Sequence, residues 1–321
     1  MGQLLQLETL GLINCLPQSG DVSYPSGRSL PITLPSLQTL ELQDSVVEVH
    51  HFFSATQIPK EAKVDLTFTD EALVSNSLGP LFSALKASWI LSSQDMDVDT
   101  NGSRLPAQSD ILDLRIVEHY ESQIKCWFKD NKLPTRFDDD NPPANLVVSS
   151  WSSRGVISTP LLTAIADRLD ISSLRSLKIS SEDDLEEDAL ALFKNLTKLD
   201  TVTIGDNHET LEKFLKVFQK QGSDTTSPSF PALRSVHLHS IYFDGPDDAV
   251  RALITAFENR EASRPIGQLT ISKCINFSEA HWKDLRASSI FEDVDMDWDK
   301  YEDIQQCSGY DYYDHNDIDT D

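Results

Sequence analysis

The sequence predicts an α/β solenoid, a horseshoe with parallel strands on its concave face and helices on its convex face. Three observations carry this expectation: an apolar phrase that recurs along the chain, a regular step between its occurrences, and helical periodicity in the stretches between them. The phrase is an apolar residue, two others, an apolar residue, one other, and a third apolar residue. It occurs as Leu7/Leu10/Leu12, Leu37/Leu40/Leu42, Ile111/Leu114/Ile116, Leu174/Leu177/Ile179, Leu199/Val202/Ile204, Leu233/Val236/Leu238, Ile266/Leu269/Ile271 and Phe291/Val294/Met296. Weaker versions, Leu66/Phe68 and Leu146/Val148, fill the two widest gaps. Chance alone would give on the order of seven such matches in a chain this long, so the spacing carries more than the number. Consecutive units lie 25 to 34 residues apart except for one step of 48.

Helical segments fall between the strands in order. VVEVHHFFSA follows Ser45, LGPLFSALKASWIL follows Asp70, and TPLLTAIADRL carries Pro160 at a helix-start position. DDLEEDALALFKNL comes next, then ETLEKFLKVFQKQ closed by Gly222, PDDAVRALITAFEN opened by Pro246, and SEAHWKDLRAS capped by Ser278. Strand, turn, helix and return are thus written nine or ten times, the layout of a wound parallel sheet. A doubly wound sheet would show continuously apolar strands and a Gly-rich first turn. The strands here alternate, as in SLRSLKIS and RSVHLHS, so one face is buried and the other open.

The solenoid is expected to span residues 1–304. Polar stretches near 92–110 and 129–143 interrupt the period and read as insertions on one rim, the first accounting for the step of 48. Residues 305–321 are acidic and aperiodic and read as a disordered tail.

LETLGLINC, Leu7 to Cys15, fits the leucine-rich-repeat consensus throughout. Cys15, Asn207 and Cys274 stand three positions past the last apolar residue, where that family places Asn or Cys. With LPSLQTLEL and FPALRSVHLHS, the style of the repeats resembles the F-box-associated leucine-rich-repeat proteins of mushroom-forming fungi. The resemblance implies a horseshoe fold and a role in substrate capture for a cullin-type ubiquitin ligase. It also implies an F-box before the repeats, and repeats that begin at Leu7 leave no room for one, so docking to the ligase adaptor is not expected of this chain alone.

The 321 residues carry 52 acidic against 27 basic side chains, a formal charge of -25, with 39% apolar residues. Such a chain buries a core and repels phosphate backbones and anionic lipid, so nucleic acid and membranes are excluded as partners. From Glu292 onward the net charge is -11, which leaves -14 for the rest. Four widely spaced cysteines indicate neither a zinc site nor a disulfide framework. The N-terminus lacks a basic leader region, and Gln6 breaks the myristoylation pattern, so a cytoplasmic or nuclear protein is expected. The three glycosylation sequons then carry no information.

No nucleophile elbow, phosphate loop or HExxH motif is present, and no catalytic residue or cofactor is assigned. Two groups support an alternative, a metal-dependent enzyme or calcium-regulated protein. Asp97, Asp99, Asn101 and Gly102 occupy calcium-loop positions, although the twelfth position is Gln108 and Pro106 removes the exiting helix. His237 and His239 alternate on the open face, roughly 7 Å apart. The preferred reading is a non-catalytic interaction module holding another protein on the concave face, with no metal.

That face can be written out as a row: Gly11, Glu41, Thr67, Arg115, Val147, Lys178, Thr203, His237, Thr270 and Asp295, with Thr69, His239, Ser272 and Asp297 in the next row. Arg115, Lys178, Thr203, His237, His239, Thr270 and Asp295 are the expected partner-binding residues. The cations among them suit carboxylates or a phosphorylated segment. If both histidines are open to water, binding should strengthen as pH falls from about 7.5 to 6. Asp293, Asp295, Asp297 and Asp299 alternate where charge would protect a sheet edge.

Overall fold

A computed structural model describes residues 6–17, 31–69, 75–90, 111–118, 122–128, 142–150, 159–181, 185–219, 229–243, 248–260 and 265–301. The calcium-like loop at Asp97 and Asp99, most of both expected insertions, and the acidic tail lie outside these residues.

The elements follow the sequence reading closely. In chain order they are β1 (Thr9–Ile13), β2 (Ile32–Thr33), β3 (Thr39–Asp44), α1 (Val46–Ala55), β4 (Thr56–Gln57), β5 (Lys63–Phe68) and α2 (Ser75–Leu85). Then come β6 (Asp113–Glu118), β7 (Ser122–Trp127), β8 (Leu146–Ser150), α3 (Thr159–Leu169), β9 (Ser176–Ser181), α4 (Glu187–Ala191) and β10 (Thr201–Gly205). The remainder is α5 (His208–Gln219), β11 (Ser235–His239), α6 (Asp248–Glu258), β12 (Gln268–Ser272), α7 (Glu279–Ala287) and β13 (Asp295–Trp298). A single π-helical turn, Lys86–Ile90, extends α2. Ser278 caps α7 with a reciprocal bond to His281, as its position before the helical segment implies.

Among the described residues, eleven strands form one sheet in the order β1-β3-β5-β8-β7-β6-β9-β10-β11-β12-β13, and β2 pairs with β4 apart from it. All neighbours are parallel except β7, which runs antiparallel to both β6 and β8. From β1 to β5, and again from β9 to β13, the order advances with the chain and never doubles back. Crossovers of a single hand then deliver every helix to the same side of the sheet. The helices bear this out, since α1 through α7 touch one another in chain order.

The same few backbone bonds recur from unit to unit. The carbonyl just before a strand accepts two amides of the next unit: Glu8 from Gln38 and Thr39, Arg175 from Asp200 and Thr201, Asp200 from Arg234 and Ser235, and Arg234 from Gly267 and Gln268. The residue just after a strand takes a left-handed conformation at Asn14 (φ 50°), Asp206 (φ 70°), Ser240 (φ 55°) and Lys273 (φ 51°). Short polar side chains tolerate that region best, and three of these four are of that kind. Asn207 stands at the turn after β10. Its Oδ1 accepts from the Glu209 amide at the start of α5. Cys15 is exposed, whereas Cys274 is buried and its thiol donates to the Ser272 carbonyl.

The inward set of each strand is the phrase found in the sequence. Leu40 and Leu42, Leu114 and Ile116, Leu177 and Ile179, Val202 and Ile204, Val236 and Leu238, and Leu269 and Ile271 are all buried. They join helix side chains such as Val49, Phe82, Ile165, Phe214 and Leu253 in one apolar core. The leading apolar residues Leu37, Leu174, Leu199, Leu233 and Ile266 are buried too.

Three expectations are corrected. The unit after Leu66 in space is β8, not the Leu114 strand, because β6, β7 and β8 form an antiparallel meander that reverses the local order. Second, Val64 rather than Leu66 aligns with Leu40, since no apolar residue stands three positions before Val64 to complete the phrase. Third, Met296 rather than Val294 aligns with Leu269. A 3-10 turn at Ser289–Phe291 consumes Phe291, and the Val294 amide bonds its carbonyl, so the strand starts two residues later.

Leu238, fully buried on β11 with two strands beyond it, should cost about 2–5 kcal/mol when cut to alanine. Leu10, half-buried on the terminal strand, should cost clearly less. Urea unfolding of the two variants checks the ordering.

Candidate functional site

The ladder registers place one residue of each strand in a continuous row on the face away from the helices. The middle row reads Gly11, Glu41, Asp65, Val147, Lys125, Arg115, Lys178, Thr203, His237, Thr270 and Asp297. Five of the seven expected binding residues share it. Arg115, Lys178, Thr203, His237 and Thr270 stand on consecutive strands, each opposite the next. His239 lies one row further along, between Gly205 and Ser272.

Asp295 is displaced. The shifted start of β13 pairs it with Gln268, one row below, and brings Asp297 beside Thr270 instead. The same slip in β5 puts Asp65 in the row and moves Thr67 beside Gln43 and Ser149. Lys125 enters because β7 lies between β8 and β6. Neither Asp65 nor Lys125 was in the expected set. The alternation of Ile124 and Cys126 in SQIKCW is the signal that could have found Lys125.

Three cations therefore stand side by side, Lys125, Arg115 and Lys178, in a chain of net charge -25. The row is not open along its length. Gly11, Glu41 and Asp297 at its ends are exposed and Asp65, Lys125, Arg115 and Thr270 half-buried. Lys178, Thr203 and His237 are 3%, 0% and 5% exposed. Two buried polar atoms adjacent in register, Thr203 Oγ1 and His237 Nδ1, have no hydrogen-bond partner among the described residues. Leaving such atoms unmatched is costly.

The two histidines differ. His239 Nδ1 lies 2.8 Å from Ser272 Oγ, whereas burial, followed by the Lys178 ammonium, holds His237 below its ordinary value of 6.5. The expectation that both are open to water and change charge between pH 7.5 and 6 is thereby corrected. Among the described residues no three His, Cys, Asp or Glu side chains come together as a metal site. Burial pushes the Cys126 and Cys274 thiols up to about 12, so neither is a nucleophile at neutral pH.

No family model matches the chain, and no curated protein matches it. Among the described residues no helix is long and apolar enough to cross a membrane.

Because the folded state disfavours the charged His237 imidazole, the unfolded chain takes up that proton first as pH falls. The stability linked to this group is complete above about pH 6.5 and declines as pH drops through that value. His237→Gln should flatten the fall in urea midpoint between pH 7.5 and 5.5. An unchanged fall would show that other groups cause it.

Proposed function

We propose that the chain is a leucine-rich-repeat solenoid that works as a non-catalytic protein-interaction module, holding an acidic segment of a partner protein on the face opposite its helices. The strand order that advances with the chain on either side of the β6–β8 meander, the single row of helices and the turn repeated after several strands support the repeat reading. The observation that carries the binding reading is the row Lys125, Arg115 and Lys178 continuing into the unmatched Thr203 Oγ1 and His237 Nδ1. Cations and polar hydrogen-bonding groups in one line suit carboxylates or phosphates on an extended segment, and the acidic remainder of the chain repels the same groups elsewhere.

In the ubiquitin-ligase role that the family resemblance suggests, this face would hold the substrate, in the cytoplasm or nucleus. Partner affinity concentrates in a few central residues, which here are Lys178 and His237 with Arg115 beside them.

The test pairs Lys178→Ala with His237→Ala and compares them with Lys213→Ala and Lys216→Ala on α5, all checked for folding by circular dichroism. A partner captured from cell extract should be lost with the first pair and kept with the second. Loss with the helical pair alone would put the ligand on the other side of the molecule.

A further inference from the structure

A cavity of about 330 Å³ opens on the face opposite the helices, over β5, β8, β7 and β6. Among the described residues its lining combines three cations, Lys63, Arg115 and Lys125, with one carboxylate, Asp65, and an apolar wall that includes Trp127 and Pro143. The wall is fixed in place. Trp127 is buried, and its indole Nε1 donates to the Pro142 carbonyl at 2.9 Å. Asn145 ties the same corner together: its Oδ1 accepts from the Phe128 amide, its own amide bonds the Cys126 carbonyl, and its carbonyl accepts from Val64.

Arg115 and Lys125 are direct cross-strand neighbours. The lining carries a formal charge of +2 (Lys63, Arg115 and Lys125 against Asp65), the complement of a phosphate monoester, which bears about -1.5 to -2 near neutral pH. The volume falls in the range of small-ligand pockets, and the apolar wall suits a flat hydrocarbon body better than a bare ion.

We propose that this cavity is a binding site for a phosphate monoester carried on a compact, flat apolar body, either a free small molecule or a phosphorylated tyrosine side chain. Lys63 at the rim and Arg115 and Lys125 hold the phosphate oxygens, and the Trp127 and Pro143 wall receives the body. The site shares Arg115 and Lys125 with the proposed partner-binding row, but Lys178 and His237, the residues varied in the capture experiment, do not line the cavity, so a failed capture leaves it untouched.

Titration calorimetry of the full chain with phenyl phosphate tests it, alongside inorganic phosphate, benzyl alcohol and a short phosphotyrosine peptide. Saturable binding of phenyl phosphate is expected, weakened about tenfold by Lys125→Gln and again by the rim variant Lys63→Gln, with Lys213→Gln on α5 as the unaffected control. Inorganic phosphate and benzyl alcohol should each bind at least about tenfold more weakly, since each lacks one half of the match. Peptide binding as tight as phenyl phosphate identifies the side-chain source, and exclusion of the peptide identifies a free small molecule. No saturable binding of phenyl phosphate or peptide at millimolar concentration overturns the proposal. So does equal affinity for inorganic phosphate, or the same loss in the α5 control. Lys63, exposed at the rim, keeps the test usable should Lys125→Gln fail to fold.

Discussion

Alternation along each strand, locked by the backbone ladder, is the constraint on which everything else depends. One set of side chains must enter the core with the helices, so the set between them has nowhere to point but the other face. The ladder then decides which residues become neighbours. A one-residue slip would bury Lys178 and His237 among the core leucines, and the apolar cost of that slip is what holds the register. The face opposite the helices is thus a by-product of core formation, and its chemistry is set by whatever the sequence writes between two buried positions.

The antiparallel meander changes that chemistry most. Without β7, Val147 would neighbour Arg115 and the row would hold two adjacent cations, Arg115 and Lys178. Inserting β7 brings Lys125 beside Arg115 and makes three adjacent positive charges, with Asp65 one strand beyond Val147. It also carries Trp127 to the bottom of the same face, where its bond to Pro142 shapes the cavity wall. One additional strand, joined to β6 by residues 119–121, therefore creates both the cationic stretch and the pocket beside it.

Much of this was legible from residue order alone. The core phrase and its two weaker versions identified all ten strand positions read for the main sheet to within two residues, and each helical segment holds a helix, although α4 keeps only five residues of its segment. Strand registers at Val64 and Met296 were missed because they depend on turns: a missing leading apolar residue in one case and a 3-10 turn in the other. The β7 strand was missed because an antiparallel hairpin has no fixed period and SQIKCW lacks the leading leucine of the phrase. At the site, Arg115, Lys178, Thr203, His237 and Thr270 were found because they lie between phrase positions. Asp65 and Lys125 were not, and Asp295 gave way to Asp297, for the same register reasons. The burial of His237 follows from the packing of the folded chain, and nothing in local sequence announces it.

The central claim is the spatial order β5-β8-β7-β6-β9, and interstrand contacts measured by NMR on isotope-labelled, protonated protein test it most directly. Hα–Hα contacts between Leu114 and Cys126 or Ile116 and Ile124, with amide contacts linking the Leu66 strand to the Val148 strand, are the predicted result. Contacts between the Leu66 strand and the Ile116 strand, the order in which they follow along the chain, would contradict it, and the cation row and the cavity would fall with it.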